Sequence, residues 1–254
     1  MTSRKLEGKT AIVTGAGMGI GRSIALAFAE EGANTVVVSR TQADIDNVVT
    51  EVSKFNAGSL AVKADVSIEG QVGEMVRRTL EAFGRIDILV NNAVAHGPTN
   101  FITQINVKDW DHTLEVNLRG VFLCSKGVLP TMMKQKSGNI INMSSGAGKR
   151  TREISFASPT RSLVYSVTKF GVEGFTLALA GQVNKFNINV NALRPGPTDT
   201  RAHAGASPEK KATLRKPDEI KKVAVFLASQ GPKGITGESL DATTWDTIYL
   251  NRSF

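Results

Sequence analysis

Tyr165 and Lys169 are the residues whose types and spacing point most directly to chemistry. They stand four positions apart, so a helix would place both side chains on one face. A free tyrosine has a pKa of about 10, and a cation a few ångströms away favours the phenolate and lowers that value. The pair is therefore predicted to act as a general acid towards an alkoxide or a general base towards an alcohol. Exposed pairs with this spacing occur in many helices, but Tyr165 is one of only two tyrosines in the chain.

Two neighbouring hydroxyls precede this pair along the chain. Ser144 and Ser145 follow a predicted strand that ends at Met143. A hydroxyl at that point could hydrogen-bond the carbonyl oxygen of a substrate. The two serines could equally be ordinary loop or helix-cap residues, and the pattern alone leaves both interpretations open.

A glycine-rich turn lies between the first predicted strand and the helix that follows it. Its pattern is T-G-x-x-x-G-x-G over residues 14–21, which differs from the G-x-G-x-x-G of many dehydrogenases. Glycine lets the chain turn tightly and brings backbone N–H groups close to a phosphate, and the start of a helix adds positive partial charge. Turns need glycine for their own sake, but this position directly before a helix favours a phosphate-bearing dinucleotide.

The end of the second predicted strand is where such a fold contacts the adenosine ribose. An acidic residue there would bind the 2′-hydroxyl of NAD, whereas a basic residue suits the 2′-phosphate of NADP. The chain has Ser39 and Arg40 at this point and no acidic residue before Asp44. We therefore predict NADP(H) as the preferred cofactor, with Arg40 as the main phosphate partner and NAD(H) as the alternative. A solvated loop arginine is the other interpretation of Arg40.

Apolar runs alternate with helical patterns along the whole chain, and this alternation predicts the fold. The predicted strands cover residues 10–14, 35–39, 59–63, 87–91, 139–143, 187–193 and 239–241. The predicted helices cover 20–31, 42–55, 68–83, 107–129 with an end near Pro130, 163–184 and 217–228. Strands that are apolar on consecutive residues are buried on both faces. We predict an α/β, single-domain, doubly wound Rossmann fold, with a seven-stranded parallel sheet flanked by helices and its ligand at the carboxyl ends of the strands.

Length and composition exclude several classes of protein. The chain has 254 residues, of which 41% are hydrophobic and 21% charged, as is typical of one soluble domain over residues 1–254. No apolar run approaches the ~20 residues that cross a bilayer, and no apolar stretch follows the charged N-terminus as in a secretory signal. One cysteine and three scattered histidines give little support to a disulfide or a metal site. We expect a cytoplasmic protein with no metal and no membrane partner.

The positive charge of the chain is concentrated in one stretch. Residues 149–222 carry 14 Lys and Arg against 6 Asp and Glu, which accounts for the whole net charge of +8. Such an excess fits a nucleic acid, a membrane surface, a small anionic ligand or merely a solvated surface. Aromatic residues are only 6% of the chain and no tight basic run occurs, so no nucleic-acid partner is expected.

Taken together, these motifs resemble those of the short-chain dehydrogenase/reductase family, in its 3-oxoacyl-carrier-protein reductase-like or carbonyl reductase-like branch. The resemblance covers roughly residues 5–240. It rests on the joint and ordered occurrence of Thr14-Gly15-x-x-x-Gly19-x-Gly21, Asp65-Val66, Asn91-Asn92-Ala93, Asn117, Ser145, Tyr165-x-x-x-Lys169 and Arg194-Pro195-Gly196.

The resemblance implies a role for each matching catalytic position. Tyr165 would donate or accept the proton of the substrate oxygen, and Lys169 would hold the nicotinamide ribose and lower the pKa of Tyr165. Ser145 would polarise the substrate carbonyl, because the family's serine is the later one of such a pair. Asn117 would bind a water in the proton relay.

The resemblance also implies a cofactor site. Asp65 would contact the adenine, Asn91 would lie on the cofactor side of the fourth strand, and Thr198 or Thr200 would lie near the carboxamide of the nicotinamide. The full predicted set is Gly15, Gly17, Gly19, Ile20, Gly21, Ser39, Arg40, Asp65, Val66, Asn92, Ala93, Tyr165, Lys169, Pro195, Gly196 and Thr198.

Three departures from the family pattern are visible. Val94 stands where the family usually has glycine, and Thr243-Thr244-Trp245 replaces the usual paired glycines after the last strand. The interval from Ser145 to Tyr165 is 20 residues, longer than usual. Residues 146–162 are therefore expected to form an inserted loop at the substrate entrance, and residues 195–216 a substrate lid.

The predicted function is NADP(H)-dependent interconversion of a ketone and a secondary alcohol, with Tyr165 as general acid and base. The basic excess lies at the expected pocket mouth and fits an anionic or acyl-carrier substrate, or a solvated surface. The alternatives are an NAD(P)-dependent sugar or polyol dehydrogenase, and a catalytically inactive cofactor-binding protein, for which Val94 leaves room. By resemblance, helices 107–129 and 163–184 would form the contacts of a homotetramer or homodimer. Cys124 and His96 are interpreted as packing and loop residues rather than catalysts.

Overall fold

The computed structural model describes residues 4–148, 162–200, 205 and 207–249. Within these residues, seven strands form one sheet in which every pairing is parallel. They are β1 (Thr10–Thr14), β2 (Asn34–Ser39), β3 (Ser59–Lys63), β4 (Ile88–Asn91), β5 (Gly138–Met143), β6 (Ile188–Arg194) and β7 (Ser239–Asp241). The order across the sheet is β3-β2-β1-β4-β5-β6-β7, so the direction of winding reverses between β1 and β4. This confirms the predicted doubly wound fold, whose ligand site lies outside the carboxyl ends of the strands at that reversal.

The strands lie inside the molecule because they are apolar on both faces. The run Val36-Val37-Val38 in the centre of β2 is fully buried, and its residues alternate between two separate cores. One core lies under α1 and α8, and the other under α3, α5 and α6. β-Branched side chains suit such a doubly covered strand.

The helices that cover the sheet largely follow the predicted pattern. They are α1 (Gly19–Glu30), α2 (Gln42–Val52), α3 (Glu69–Phe83), α4 (Val107–Leu114), α5 (Gly120–Gln135), α6 (Leu163–Val183), α7 (Pro208–Ala212), α8 (Lys221–Ala228) and α9 (Trp245–Tyr249). Short 3-10 turns cover Ser53–Phe55, Ile102–Gln104, Gly146–Gly148, Asn184–Phe186 and Pro217–Ile220. The two five-residue helices α7 and α9 were not predicted, because each is too short to show a helical period.

The predicted helix 107–129 is wrong in two respects. A π-helical turn, Glu115–Arg119, separates α4 from α5, and α5 continues through Pro130 to Gln135. A proline inside a helix removes one hydrogen bond and usually ends or kinks it. Here Pro130 is exposed, and Val128 and Met132 on either side of it are fully buried. We attribute the continuation to this packing, and α5 ends instead at Gln135, before Lys136, whose φ is 53°.

A chain of buried amides joins the middle of the sheet to α6. Asn91 donates to Asn142 Oδ1 over 2.8 Å and to Ser125 over 3.2 Å, and Asn142 donates to Thr176 of α6 over 2.9 Å. Buried polar groups of this kind fix one packing arrangement because each needs its partner. The chain of bonds therefore holds α6 in register with β4 and β5.

Two predicted segments fall partly outside the described residues. The inserted loop 146–162 is described only at residues 146–148 and 162, and the lid 195–216 lacks residues 201–204 and 206. None of the helices in the described part of the chain is long and apolar enough to cross a membrane.

Candidate active site

Tyr165 and Lys169 lie on one face of α6, as their spacing predicts. Ser162 caps this helix, since its Oγ accepts a hydrogen bond from the backbone N–H of Tyr165 over 3.2 Å. Lys169 Nζ lies 5.4 Å from the centre of the Tyr165 ring. That distance brings the ammonium within the range in which a cation interacts with an aromatic ring.

Lys169 is buried, and its ammonium is fixed to the end of β5. The residue is 4% exposed, and Nζ donates a 2.6 Å hydrogen bond to the backbone carbonyl of Met143. Burial lowers the pKa of Lys169 to about 8, and the carboxylate of Glu173 acts in the opposite direction. The pKa of a free lysine is about 10.4. The Lys169 ammonium therefore loses its proton at a much lower pH, close to neutrality.

The pKa of Tyr165 moves in the direction opposite to the prediction. Burial raises it above its ordinary value, and the hydrogen bond with Ser145 lowers it without cancelling the effect of burial. The net shift is thus upward, whereas a lowering of this pKa by Lys169 itself stays a prediction. The physical reason is that water, which would solvate the phenolate, is largely excluded, while the nearby ammonium is directed to the Met143 carbonyl.

The structure separates the two serines that the sequence left open. Ser145 forms a side-chain hydrogen bond with Tyr165, and its Oγ also accepts from the backbone N–H of Ala147 over 3.2 Å. Ser144 is buried, and its Oγ has no hydrogen-bond partner among the described residues. Ser145 is thus the serine that lies next to the phenol, in agreement with the resemblance.

Asn117 connects two parts of the site. It lies in the π-helical turn and is 1% exposed. Its Oδ1 accepts from the backbone N–H of Ala95 and its Nδ2 donates to the carbonyl of Ala95, each over 2.8 Å. Nδ2 also donates to Thr168 Oγ1 over 3.0 Å, and Thr168 donates to the carbonyl of Tyr165 over 2.8 Å. Asn117 therefore ties the segment after β4 to the helix that carries Tyr165 and Lys169.

The glycine turn is packed tightly against the segment after β4. Gly15 has a φ of +64° and Gly19 a φ of +57°, a region that favours glycine. A Cβ on Gly21 would overlap the carbonyl oxygen of Gly15 and lie 2.5 Å from Nδ2 of Asn92. Asn92 in turn donates to the carbonyls of Thr14 and Gly15 over 2.9 and 3.1 Å.

The start of α1 offers backbone N–H groups for an anion. No side chain caps its first turn, and that turn carries no acidic residue. Uncapped N–H groups together with the helix dipole favour a phosphate at such a place. Gly19, Ile20 and Gly21 lie in this first turn, and Gly17 precedes it.

The end of β2 presents one cation and one carboxylate. Arg40 is exposed, and its guanidinium lies 3.9 Å from the carboxylate of Asp65. Burial alone would raise the pKa of Asp65, but hydrogen bonds from Ser67 and the charge of Arg40 overcome this and lower it. Asp44 comes closer to the glycine turn than the sequence suggested, since a Cβ on Gly17 would meet Asp44 Cβ at 2.8 Å and Ser39 Oγ at 3.1 Å.

The segment after β6 contains Thr198 and Thr200, which make different contacts. Gly196 has a φ of +72°. The buried Thr198 donates to the carbonyl of Gly196 over 3.1 Å, so its hydroxyl is engaged locally. The methyl group of Thr200 lies near Gly19, where a Cβ on that glycine would meet it at 3.4 Å. The structure therefore brings Thr200 rather than Thr198 to the glycine turn.

Comparison with known proteins agrees with this geometry. A family model described as short chain dehydrogenase matches residues 9–211. A 3-oxoacyl-[acyl-carrier-protein] reductase of Synechocystis sp. is 36% identical over 244 residues, which cover 93% of this chain and 96% of that protein. The chain belongs to the short-chain dehydrogenase/reductase family.

Two further members illustrate the range of the family. The short chain dehydrogenase/reductase astE of Aspergillus oryzae is 37% identical over 250 residues, which cover 92% of this chain and 93% of that protein. The crystal structure of an NAD⁺-bound xylitol dehydrogenase has a TM-score of 0.82 and 27% identity, and covers 93% of this chain and 98% of that one. As a member of the short-chain dehydrogenase/reductase family, this chain is an oxidoreductase that uses NAD(P)(H).

The described residues of this family member fit such a cofactor. The uncapped start of α1 suits a pyrophosphate, and Arg40 stands at the end of β2. Lys169 is fixed beside Tyr165 at the carboxyl edge of the sheet. Val94, where the chain departs from the family pattern, is 40% exposed.

Sequence reasoning missed three residues near the site. Asp44 was weighed only by its distance along the chain, whereas packing brings it to the glycine turn. Glu173 acts on Lys169 from one helical turn later, a spacing that could have indicated it. His96 stacks on Tyr165, and nothing in its spacing to the motifs indicates that contact. Cys124 is buried and its pKa is raised by burial to about 12, which agrees with its interpretation as a packing residue.

Proposed function

We propose that this chain is an NADP(H)-dependent oxidoreductase that interconverts a ketone and a secondary alcohol, with Tyr165 as general acid and base. The proposal depends on the surroundings of the Tyr165 phenol. This phenol forms a hydrogen bond with Ser145, and the ammonium of Lys169 lies 5.4 Å from the centre of its ring. A neutral phenol held against a hydroxyl is suited to donate its proton to a carbonyl oxygen that becomes an alkoxide. The raised pKa of Tyr165 keeps the phenol protonated until negative charge develops on the substrate oxygen.

Each neighbouring residue then has a defined task. The nicotinamide, when bound, supplies or accepts the hydride. Ser145 holds the substrate oxygen by a hydrogen bond, and Tyr165 transfers the proton to or from that oxygen. Lys169 binds the ribose of the nicotinamide and stabilises the phenolate by its charge. Asn117 holds the site together and, as the resemblance implies, would bind the relay water near a π-helical turn, a feature frequent at functional sites.

The cofactor is proposed to be held along the carboxyl edge of the sheet. The backbone of Gly15, Gly17, Gly19, Ile20 and Gly21 would bind the pyrophosphate, and Ser39, Arg40, Asp65 and Val66 the adenosine half. Asn92, Ala93, Pro195, Gly196 and Thr198 would border the nicotinamide half. Thr200 is the better candidate for the carboxamide contact, since Thr198 already donates to the Gly196 carbonyl.

Arg40 is proposed to select NADPH over NADH through the 2′-phosphate. The variant Arg40→Gln should lower the kcat/KM ratio of NADPH to NADH about tenfold or more, the usual worth of a charge-assisted hydrogen bond. Asp44→Asn should raise the same ratio, because it removes a carboxylate beside the glycine turn. Arg78→Gln on α3 is the matched control and should leave the ratio unchanged. An unchanged ratio in Arg40→Gln would rule out this assignment.

The substrate is proposed to be a 3-oxoacyl group or a similar ketone that carries negative charge. Support comes from the named activity of the Synechocystis relative and from Lys210 and Lys211, which are exposed on α7 in the lid segment. Lys149, Arg150, Arg152 and Arg161 belong to the same basic stretch but lie outside the described residues. If charge guides the substrate, kcat/KM should fall as salt rises. A flat dependence on salt would contradict the anionic substrate.

A polyol dehydrogenase that uses NAD is the second candidate function. The position of Asp44 beside the glycine turn favours it, because a carboxylate there could bind the ribose hydroxyls of NAD. The likeness to the NAD⁺-bound xylitol dehydrogenase points the same way.

Single-turnover experiments separate the candidates. Enzyme loaded with NADPH is mixed with a panel of 3-oxoacyl esters and simple ketones, and the loss of nicotinamide absorbance is followed. Enzyme loaded with NAD⁺ is mixed in parallel with polyols. We expect rapid oxidation of NADPH by at least one ketone and slow reduction of NAD⁺. Turnover confined to polyols would favour the second candidate, and no turnover with either would indicate a cofactor-binding protein without catalysis.

The enzyme is also proposed to form a homodimer or homotetramer through α5 and α6. Their outer faces expose Phe122, Val167, Phe170 and Leu177, each between 44% and 65% accessible in the single chain. Large apolar side chains that are exposed on neighbouring helices commonly mark a protein interface. The resemblance places the subunit contacts of the family on the same two helices.

A further inference from the structure

The imidazole of His96 stacks on the ring of Tyr165. The two ring centres lie 5.5 Å apart and the ring planes are inclined by 27°. Both values suit an offset stack between aromatic rings. A protonated imidazole at this distance would also lie within the ~6 Å over which a cation interacts with an aromatic ring.

The contact is held on both sides of His96 along the chain. Ala95 is fixed by the two hydrogen bonds of Asn117, whose amide also reaches Thr168 on α6. Gly97 follows, with a φ of +68°. A Cβ at Gly97 would lie 2.6 Å from Val164 and 3.0 Å from Ser162 Oγ, so this segment is pressed directly against the start of α6. The backbone is therefore fixed on both sides of His96, while the His96 residue itself is exposed and reaches the Tyr165 ring from the outside of the site.

Side chains from three different parts of the fold contact Tyr165. Lys169 faces its ring from α6, and the Ser145 hydroxyl reaches it from the end of β5. His96 faces it from the segment after β4. Of these groups, histidine is the one whose type ordinarily changes charge between about pH 5 and 8. Burial disfavours the phenolate of Tyr165, so any cation held at the ring matters for the transfer of its proton.

We propose that His96 is a positioning residue for the Tyr165 phenol, and that its protonated form assists the loss of the phenolic proton. The inference rests on the proposed function, since it assumes that Tyr165 transfers that proton. The imidazole holds the phenol ring by stacking and, when charged, stabilises the negative charge that develops on the phenol as its proton leaves. The proton itself passes from Tyr165 to the substrate oxygen and not from His96.

The first test measures the stack without any turnover. If the Tyr165 ring stabilises the charged imidazole, removing the ring must lower the pKa of His96, because the coupling is reciprocal. The pKa of each of the three histidines is followed by proton NMR, with His96→Gln to assign the resonance. We expect Tyr165→Leu to lower the pKa of His96 by about half a unit and Tyr165→Phe, which keeps a ring, to leave it unchanged. His112 should titrate identically in all variants, which shows that the fold is intact.

The second test uses the pH dependence of catalysis on an uncharged ketone. In the wild type, kcat/KM for reduction should be about two- to fivefold higher on the acidic side of the imidazole titration. His96→Phe keeps the stack but cannot be protonated, so this step in the profile should disappear. His112→Phe is the matched control and should retain it.

The outcomes distinguish the inference from the function on which it rests. If Tyr165→Leu leaves the pKa of His96 unchanged, or if His96→Phe retains the acidic step, the role of His96 is overturned. If Tyr165→Phe reduces ketones as fast as the wild type, the proposed function fails, whatever the NMR titration shows. If Tyr165→Phe is inactive and His96→Phe loses the acidic step in the pH profile, both the proposed function and the role of His96 are supported.

Discussion

At the scale of single residues, the charge balance around Lys169 sets the pH range of the site. Burial lowers the pKa of Lys169 to about 8, and among the described residues the carboxylate of Glu173 raises it. Glu173 is itself held in place, because its Oε1 accepts a 2.9 Å hydrogen bond from Ser239 at the start of β7. The edge strand β7 thus positions the carboxylate that raises the pKa of Lys169.

We expect Glu173→Gln to shift the alkaline loss of activity to lower pH. The active form has a charged Lys169, so kcat/KM should fall as the pH rises through about 8 in the wild type. Removing the Glu173 charge favours the neutral amine, so the fall should begin about half a pH unit lower, which is about twofold lower activity at pH 8. The measurement is a pH profile of kcat/KM. Glu238→Gln is the control, and a profile identical to the wild type in Glu173→Gln would contradict the electrostatic role.

The type of each catalytic residue could be predicted from the sequence, but its surroundings could not. The spacing of Tyr165 and Lys169 correctly placed them on one helix face. The direction of the Tyr165 pKa was wrong, because it depends on how much water reaches the phenol, a property of the tertiary packing. The contact of His96 with Tyr165 depends likewise on the path of the segment after β4.

At the scale of elements, the approach of the glycine turn to the segment after β4 decides whether the cofactor site exists. Gly21 lies between the Gly15 carbonyl and the Asn92 amide, with no room for a side chain. Thr14 completes the junction, since its hydroxyl accepts from the backbone N–H groups of Asn92 and Ala93 over 3.0 and 3.1 Å. β1, α1 and β4 meet here at the reversal of the sheet order.

We expect Gly21→Ala to weaken NADPH binding at least about tenfold and to destabilise the fold by about 1–3 kcal/mol, the usual cost of overpacking. The added methyl group must push α1 away from the turn, which misplaces the N–H groups at its start. Fluorescence titration with NADPH and urea unfolding measure the two effects. Gly73→Ala on α3 is the matched control, because a Cβ there meets nothing within 4 Å. It should stabilise the protein by up to about 1 kcal/mol. Equal NADPH affinities in the two variants would contradict the role of the turn.

Element types were predictable from periodicity, whereas interruptions within helices were not. The pattern over residues 107–129 reads as one helix, and the π-helical turn Glu115–Arg119 leaves no period of its own. Pro130 suggested an end that the packing of Val128 and Met132 overrides. At Pro130, tertiary contacts of the buried helix face outweigh local propensity.

At the scale of the whole molecule, the parallel sheet collects residues that are far apart in sequence. Asn91, Ser145 and Arg194 end or follow different strands, yet the alternation of apolar runs already required a common carboxyl edge for them. The fold and the general place of the site could therefore be predicted. The sequence indicates where the inserted loop and the substrate lid begin and end, but it does not predict their conformation. Their residues show little of the hydrophobic periodicity that indicates a helix or a strand.

The assembly provides a prediction at this scale. We expect the enzyme to be a dimer or tetramer, and Leu177→Lys on α6 to shift it towards smaller species, because a charge would be buried in the proposed apolar interface. Light scattering coupled to size-exclusion chromatography measures the mass. Phe101→Lys, at an exposed residue outside α5 and α6, should leave the assembly intact. A monomeric wild type, or an equal effect of both variants, would contradict an interface on these helices.

The most direct test of the account is the rate of proton-coupled hydride transfer in Tyr165→Phe. This variant keeps the ring against His96 and Lys169 and removes only the hydroxyl. Single-turnover oxidation of bound NADPH by the best ketone should be at least about a hundredfold slower than in the wild type, with the affinity for NADPH unchanged. A rate equal to that of the wild type would contradict the assignment of Tyr165 as the general acid.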